Sequence, residues 1–187
     1  SVYDVNPISN RLSLREPQKV SLSILDRICE ITDLSKDCDI AKALEVIKSE
    51  FPTVSDFERK FPSLCFALAT GVGKTRLMGA FIAYLHTVHG VNNFFVVAPN
   101  LTIYNKLQAD FTPNTLKYVF KGIGEFARNP PIIVTGDNYE SGIGADDMIS
   151  NVVINIFNIA KITARDGGKL AKDDEQRSVC LLYTSPS

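Results

Sequence analysis

Charge of one sign is scarce in this 187-residue chain: 20 Lys and Arg stand against 21 Asp and Glu, a net charge of −1. The overall charge therefore gives no case for a polyanionic partner, and any such case must rest on a local surface. Paired cysteines are also lacking. Cys29, Cys38, Cys65 and Cys180 form no CxxC spacing, so a reduced, cytosolic setting fits better than a disulfide framework. Cys65 lies in an apolar run and reads as a small buried hydrophobe. No apolar run approaches the roughly 20 residues that a bilayer-crossing helix needs. No charged-then-apolar leader opens the chain. The expectation is a cytoplasmic protein without a membrane partner. Without a secretory signal, the glycosylation sequon Asn100-Leu101-Thr102 is coincidence. Internal repeats and low-complexity linkers are absent.

What remains is an ordinary globular balance, 45% hydrophobic and 22% charged, enough to fill the core of one domain. From Leu14 to about Ile31, Val20, Leu22, Ile24, Leu25 and Ile28 recur at helical spacing. A short helix is predicted from Ile40 to Ile47, with Asp37 or Asp39 as its cap. The texture then changes. Ser63 to Leu68 is a continuous apolar run, as expected of a strand covered on both faces. A helix is predicted from Thr75 to about His89, with Leu77, Met78, Phe81, Ile82 and Leu85 on one side. Phe94 to Ala98 reads as a second buried strand stopped by Pro99, followed by a helix from Leu101 to about Phe111. Tyr118–Phe120, Ile132–Val134 and Val152–Ile156 are further strand candidates. This alternation predicts an α/β fold with a mostly parallel sheet and helices on both faces.

Between the first strand and its helix lies Leu68-Ala69-Thr70-Gly71-Val72-Gly73-Lys74-Thr75. Glycines let successive backbone N–H groups converge on phosphate oxygens, and the helix that follows adds its positive end. Such a phosphate loop predicts nucleoside triphosphate binding by Thr70, Gly71, Val72, Gly73, Lys74, Thr75 and Arg76. Lys74 reaches the β- and γ-phosphates, and the Thr75 hydroxyl coordinates Mg²⁺. Leu68 stands where the general pattern has its first glycine.

Ala69 to Thr75 resembles motif I of superfamily-2 helicases, which tolerates a non-glycine at the Leu68 position. Val97 to Leu107 resembles motif Ia as found in the Res subunit of type III restriction enzymes, and Val153 to Lys161 resembles a later strand-to-helix motif of that subgroup. Leu14-Arg15-Glu16-Pro17-Gln18 resembles the upstream glutamine motif. The resemblance covers most of residues 14–163. It implies a partial RecA-like domain at 56–165, preceded by a helical segment at 1–55 that carries the glutamine motif.

The resemblance further implies ATP and Mg²⁺ as ligands, with Gln18 reading the adenine edge through its paired donor and acceptor. It implies DNA held at Pro99, Asn100, Leu101 and Thr102, where a helix opens with free N–H groups; Asn158 and Lys161 are secondary candidates. RNA is compatible with the same backbone contacts. The other implied partners are a second RecA-like domain and a modification subunit.

A helicase motor also needs an apolar strand ending in Asp-Glu to hold Mg²⁺ and position water. Val152 to Ile156 ends instead in Phe157-Asn158, and Asp173-Asp174-Glu175 has no apolar strand before it. Residues 166–187 read as a polar tail, disordered or non-native at its end. The expectation is a nucleotide-binding N-terminal motor fragment of an ATP-dependent helicase or translocase, with hydrolysis weak or absent.

Two rival readings are a small P-loop kinase, which gives motif Ia no purpose, and a non-catalytic nucleic-acid binding module, which would not depend on Lys74. Gly122 to Ala127 matches the loose dinucleotide fingerprint, but the preceding strand is short and no acidic residue closes a second strand at the needed spacing. His86 and His89, one turn apart, read as helix-end residues facing the dipole.

Overall fold

The computed structural model describes residues 1–32, 40–51, 63–67, 73–136, 151–158 and 178–184. In chain order these form α1 (Val2–Arg11), α2 (Glu16–Ile31), α3 (Ile40–Glu50), β1 (Ser63–Ala67), α4 (Lys74–His89), β2 (Asn93–Ala98) and α5 (Leu101–Phe111). A 3-10 turn (Val119–Gly122), α6 (Gly124–Arg128), β3 (Ile132–Thr135), β4 (Val153–Asn158) and β5 (Ser178–Thr184) follow.

The sheet order is β1-β5-β2-β4-β3. β4 lies parallel between β2 and β3, with Ala98 opposite Asn158 and Thr135 opposite Ile156. β5 runs antiparallel to both β1 and β2. β1 and β2 therefore point the same way, and four of the five strands are co-directional, as the alternating pattern predicted. All four end at one edge, with Ala67, Ala98, Thr135 and Asn158 as their last residues. In open α/β sheets that carboxyl edge is where ligands bind.

β2 and β4 owe their central place to composition. Val153, Ile154, Asn155 and Ile156 are all buried, the signature of a strand covered on both faces. β2 alternates, with Phe94, Val96 and Ala98 buried. These three residues join Ile154 and Ile156 in one core cluster with residues of α1, α2, α4 and α5. Asn155, polar in the middle of the sheet, donates from Nδ2 to the Phe94 carbonyl at 3.0 Å and to Asn93 Oδ1 at 3.2 Å, so its burial leaves no donor stranded.

α4 runs through the centre of the molecule. Every residue from Leu77 to Leu85 is buried, whereas the sequence pattern placed apolar residues on one side only. The difference comes from α1, a helix not anticipated from the sequence. Its Val5 and Ile8, together with Leu12 and Leu14 just beyond it, are buried in the same cluster as α4, and α1 contacts α4 directly. Pro7 in the interior of α1 removes a helix donor, yet the i, i+3, i+7 spacing of Val5, Ile8 and Leu12 gives a face that packing rewards. Small residues admit close neighbours: a β-carbon on Gly79 would lie 3.0 Å from both methyls of Val119.

Two further expectations are corrected. Tyr118–Phe120 is no strand but leads into the 3-10 turn. Phe120 is fully buried by turning inward, stacked on Phe111 at 5.3 Å and edge-on to Phe126 at 4.8 Å. The Tyr118 hydroxyl donates to the Phe126 carbonyl at 2.8 Å, and burial pushes its pKa up to about 12. The dinucleotide-like Gly122-Ile123-Gly124 thus follows no strand. A β-carbon at Gly122 would overlap the Arg11 carbonyl oxygen, so this glycine permits backbone contact with the end of α1. Ser178–Thr184, expected to continue no element, pairs on both sides within the sheet. No helix among the described residues is long and apolar enough to cross a membrane.

Candidate functional site at the carboxyl edge of the sheet

Thr70, Gly71 and Val72 lie outside the described residues, as does Lys161. Gly73 caps α4 in the left-handed region, φ 76°. Only glycine adopts that conformation without strain. Lys74 opens the helix. Thr75 follows, 4% exposed.

Gln18 reaches this turn from α2. It stands at the third helical position after the cap Arg15, and its Oε1 accepts the Arg15 N–H at 2.8 Å, half of a capping box. Its Nε2 donates to the Gly73 carbonyl at 3.0 Å. A β-carbon at Gly73 would overlap that Nε2 and lie 3.4 Å from Arg15 Nη2. Gln18 is thus seated on the glycine that opens α4 across 55 residues of sequence. Gln18 is 1% exposed.

Thr75 has a partner the sequence reading did not single out. Its hydroxyl donates to Asp110 Oδ2 at 2.7 Å, within the protein interior. Asp110 is 7% exposed, on the last turn of α5. Lys106, one turn earlier, places Nζ 3.3 Å from the same oxygen. One sequence signal did exist. Tyr104, Leu107, Asp110 and Phe111 share the buried face of α5, and a carboxylate on such a face almost always has a partner.

Arg76 donates from Nη1 to the Leu12 carbonyl at 2.7 Å and ties α4 to the segment after α1.

The candidate nucleic-acid residues gather at the same edge. Pro99 is buried after β2. Asn100 caps α5 and accepts the Ile103 N–H at 2.9 Å. Leu101 is 58% exposed, and Thr102 is exposed beside it. The N–H groups of Leu101 and Thr102 precede the first backbone donor of the helix, Tyr104. Asn158 is 7% exposed at the end of β4, opposite Ala98. The register therefore brings Asn158 beside the Pro99 turn, although 59 positions separate the two in the sequence.

His86 and His89 lie at the opposite end of α4. His86 Nε2 meets Glu125 Oε1 at 2.6 Å and its Nδ1 meets the Val91 carbonyl at 3.0 Å. His89 Nε2 lies 3.0 Å from the Tyr84 hydroxyl. The His86 contacts join α4 to α6 and to the segment that follows α4, whereas the His89 contact stays within α4, and the two histidines do not meet. Among the described residues no cluster of His, Cys, Asp and Glu could hold a metal ion.

Neither a curated relative nor a solved structure matches the chain. A family profile does: that described as type III restriction enzyme, res subunit, over residues 13–182. The match begins just before the glutamine motif and ends within β5, so it takes in both the loop-to-α4 turn and the turn that opens α5. This is a family related to superfamily-2 helicases, and its helicase-like domain is the unit that this α/β fold forms. The chain belongs to the type III restriction enzyme Res subunit family.

Proposed function

We propose that this chain binds ATP with Mg²⁺ at the β1–α4 turn and is the nucleotide-binding part of an ATP-dependent DNA helicase or translocase. The observation that carries this reading is the seat of Gln18 on Gly73. A glutamine 55 residues upstream is bonded at 3.0 Å to the loop that Lys74 and Thr75 follow. In this reading the N–H groups at the start of α4 and the Lys74 ammonium hold the phosphate chain. Thr75 suits a cation. Its O–H donates to Asp110, which leaves the oxygen's lone pairs for a ligand, and hydroxyl oxygen is a hard ligand of the kind Mg²⁺ accepts. The bound ion neutralises charge on the β- and γ-phosphates. Gln18 reads the adenine edge while anchoring the loop.

DNA phosphates are held by the N–H groups and hydroxyl at Leu101 and Thr102, with Asn158 beside them. The two sites share one sheet edge, which lets nucleotide state and DNA grip be coupled through α4 and α5. A second RecA-like domain and a modification subunit complete the assembly in this reading.

Binding of a fluorescent ATP analogue with Mg²⁺ tests it. The unaltered chain binds, and Lys74→Ala weakens binding by about a hundredfold through loss of charge-assisted contacts. Gln18→Ala loses the preference for adenine over guanine. A folded chain that fails to bind overturns the reading. An unchanged base preference in Gln18→Ala would instead leave that residue as a loop anchor only.

A further inference from the structure

Asp110 is a buried carboxylate that the nucleotide reading does not itself call for. It belongs to neither the phosphate loop nor the exposed turn of α5, and it follows the start of that helix by nine residues. Burying an ionised carboxylate is costly unless it is hydrogen-bonded and charge-compensated. Here both conditions are met through one oxygen. Oδ2 accepts the Thr75 proton at 2.7 Å and lies 3.3 Å from the Lys106 ammonium. A plain tie between α4 and α5 could be made by any apolar pair at that position. What the carboxylate adds is direction. It fixes the rotor of a hydroxyl whose proton would otherwise be free to point at whatever the oxygen is meant to ligate.

We propose that Asp110 is a positioning residue of the nucleotide site. By accepting the Thr75 proton it holds the hydroxyl with its lone pairs turned away from α5, toward the place of a divalent cation bound with the nucleotide. The Lys106 ammonium, 3.3 Å from the same oxygen, compensates the carboxylate's charge. The inference rests on the nucleotide reading above and adds a specific demand: Asp110 acts on the cation-dependent part of binding, whereas Lys74 acts on phosphate binding as a whole.

The test measures the affinity of the full chain for the fluorescent ATP analogue twice, with Mg²⁺ and with the metal chelated. The ratio of the two affinities is the quantity of interest. Asp110→Ala lowers that ratio by about tenfold, the loss of one charge-assisted hydrogen bond, and leaves the metal-free affinity unchanged. Asp110→Asn keeps the shape and an accepting oxygen but not the charge, so its ratio falls between the two. Thr75→Ser keeps the hydroxyl and the wild-type ratio. A readout without metal or nucleotide accompanies these. Thermal unfolding of Thr75→Val, Asp110→Asn and the double variant shows a coupling between the two sites, because the bond exists before any ligand binds.

If Asp110→Ala and Asp110→Asn, folded by circular dichroism, both keep the wild-type ratio, Asp110 is a helix tie and the inference is overturned. Should Asp110→Ala fail to fold, the isosteric Asp110→Asn decides alone. The failure of the nucleotide reading looks different. In that case the unaltered chain binds no nucleotide under either condition, and both proposals fall together.

Discussion

Two helices begin at the same edge of the sheet, and they begin differently. α4 follows β1 through a left-handed glycine with no side-chain cap, and the carbonyl of that glycine is held by Gln18 from another helix. α5 follows β2 through Asn100, whose own side chain takes the Ile103 N–H. One start is anchored from another helix; the other satisfies part of its own need. Orphan N–H groups at a helix start must find a partner, and at α5 the Asn100 side chain takes one of them. The difference teaches that the two helix starts, though neighbours, are held by different means: one by a contact from 55 residues away, the other by its own cap.

Three substitutions break or sharpen this comparison. The largest effect is expected for Gly73→Ala. A β-carbon there overlaps Gln18 Nε2, and the backbone is already at φ 76°. Left-handed strain and overpacking together cost about 3 kcal/mol, which denaturant unfolding would register, and nucleotide binding is lost with the displaced loop. A variant that retains both stability and binding would show that the left-handed turn and its Gln18 contact are incidental.

Tyr84→Phe probes the far end of the same helix. The Tyr84 hydroxyl donates to buried Asp26 at 2.6 Å; burial, and after it the bond to Asp26, hold its pKa well above the usual tyrosine range. Removing that donor takes one charge-assisted hydrogen bond from Asp26, at about 2 kcal/mol, although the Ser1 ammonium still donates to both carboxylate oxygens at 2.7 Å. Nucleotide affinity should not move, since no candidate ligand residue is touched. A fall in affinity would mean that the two ends of α4 are coupled.

The smallest effect is expected for Asn100→Ala. Loss of the cap costs about 1 kcal/mol, measured by thermal unfolding, while the freed Ile103 N–H becomes an additional donor at the α5 terminus. DNA affinity should hold or rise slightly; a clear fall would mean that Asn100 contacts DNA through its side chain instead of serving as a cap.

Legibility from sequence divided along physical lines. The start of α4 was readable because its signal is local: Gly73 supplies the left-handed turn, and an apolar helical pattern follows it at once. β2 and β4 were readable for a similar reason, since buried strands must be apolar runs, and Phe94 to Ala98 and Val153 to Ile156 are such runs. The helix boundaries of α4 and α5 held to within a residue or two because Gly90 in the left-handed region and Asn100 as a cap mark them. Tyr118–Phe120 misled because three apolar residues satisfy a strand pattern and a buried turn equally, and only the packing of Phe120 among Phe111, Phe126 and Tyr118 separates the two.

The sequence by itself determined the class of fold, the start of α4 after a glycine and the kinship of the chain, because each depends on residues adjacent along the backbone. Tertiary structure alone decided that Gln18 sits on Gly73, that the Thr75 hydroxyl donates to Asp110, that Asn158 lies beside the Pro99 turn, and that β5 enters antiparallel between β1 and β2. These pairings join positions tens of residues apart. Hydrogen bonds and strand register between such positions are selected by the packing of whole elements, and no local preference encodes them.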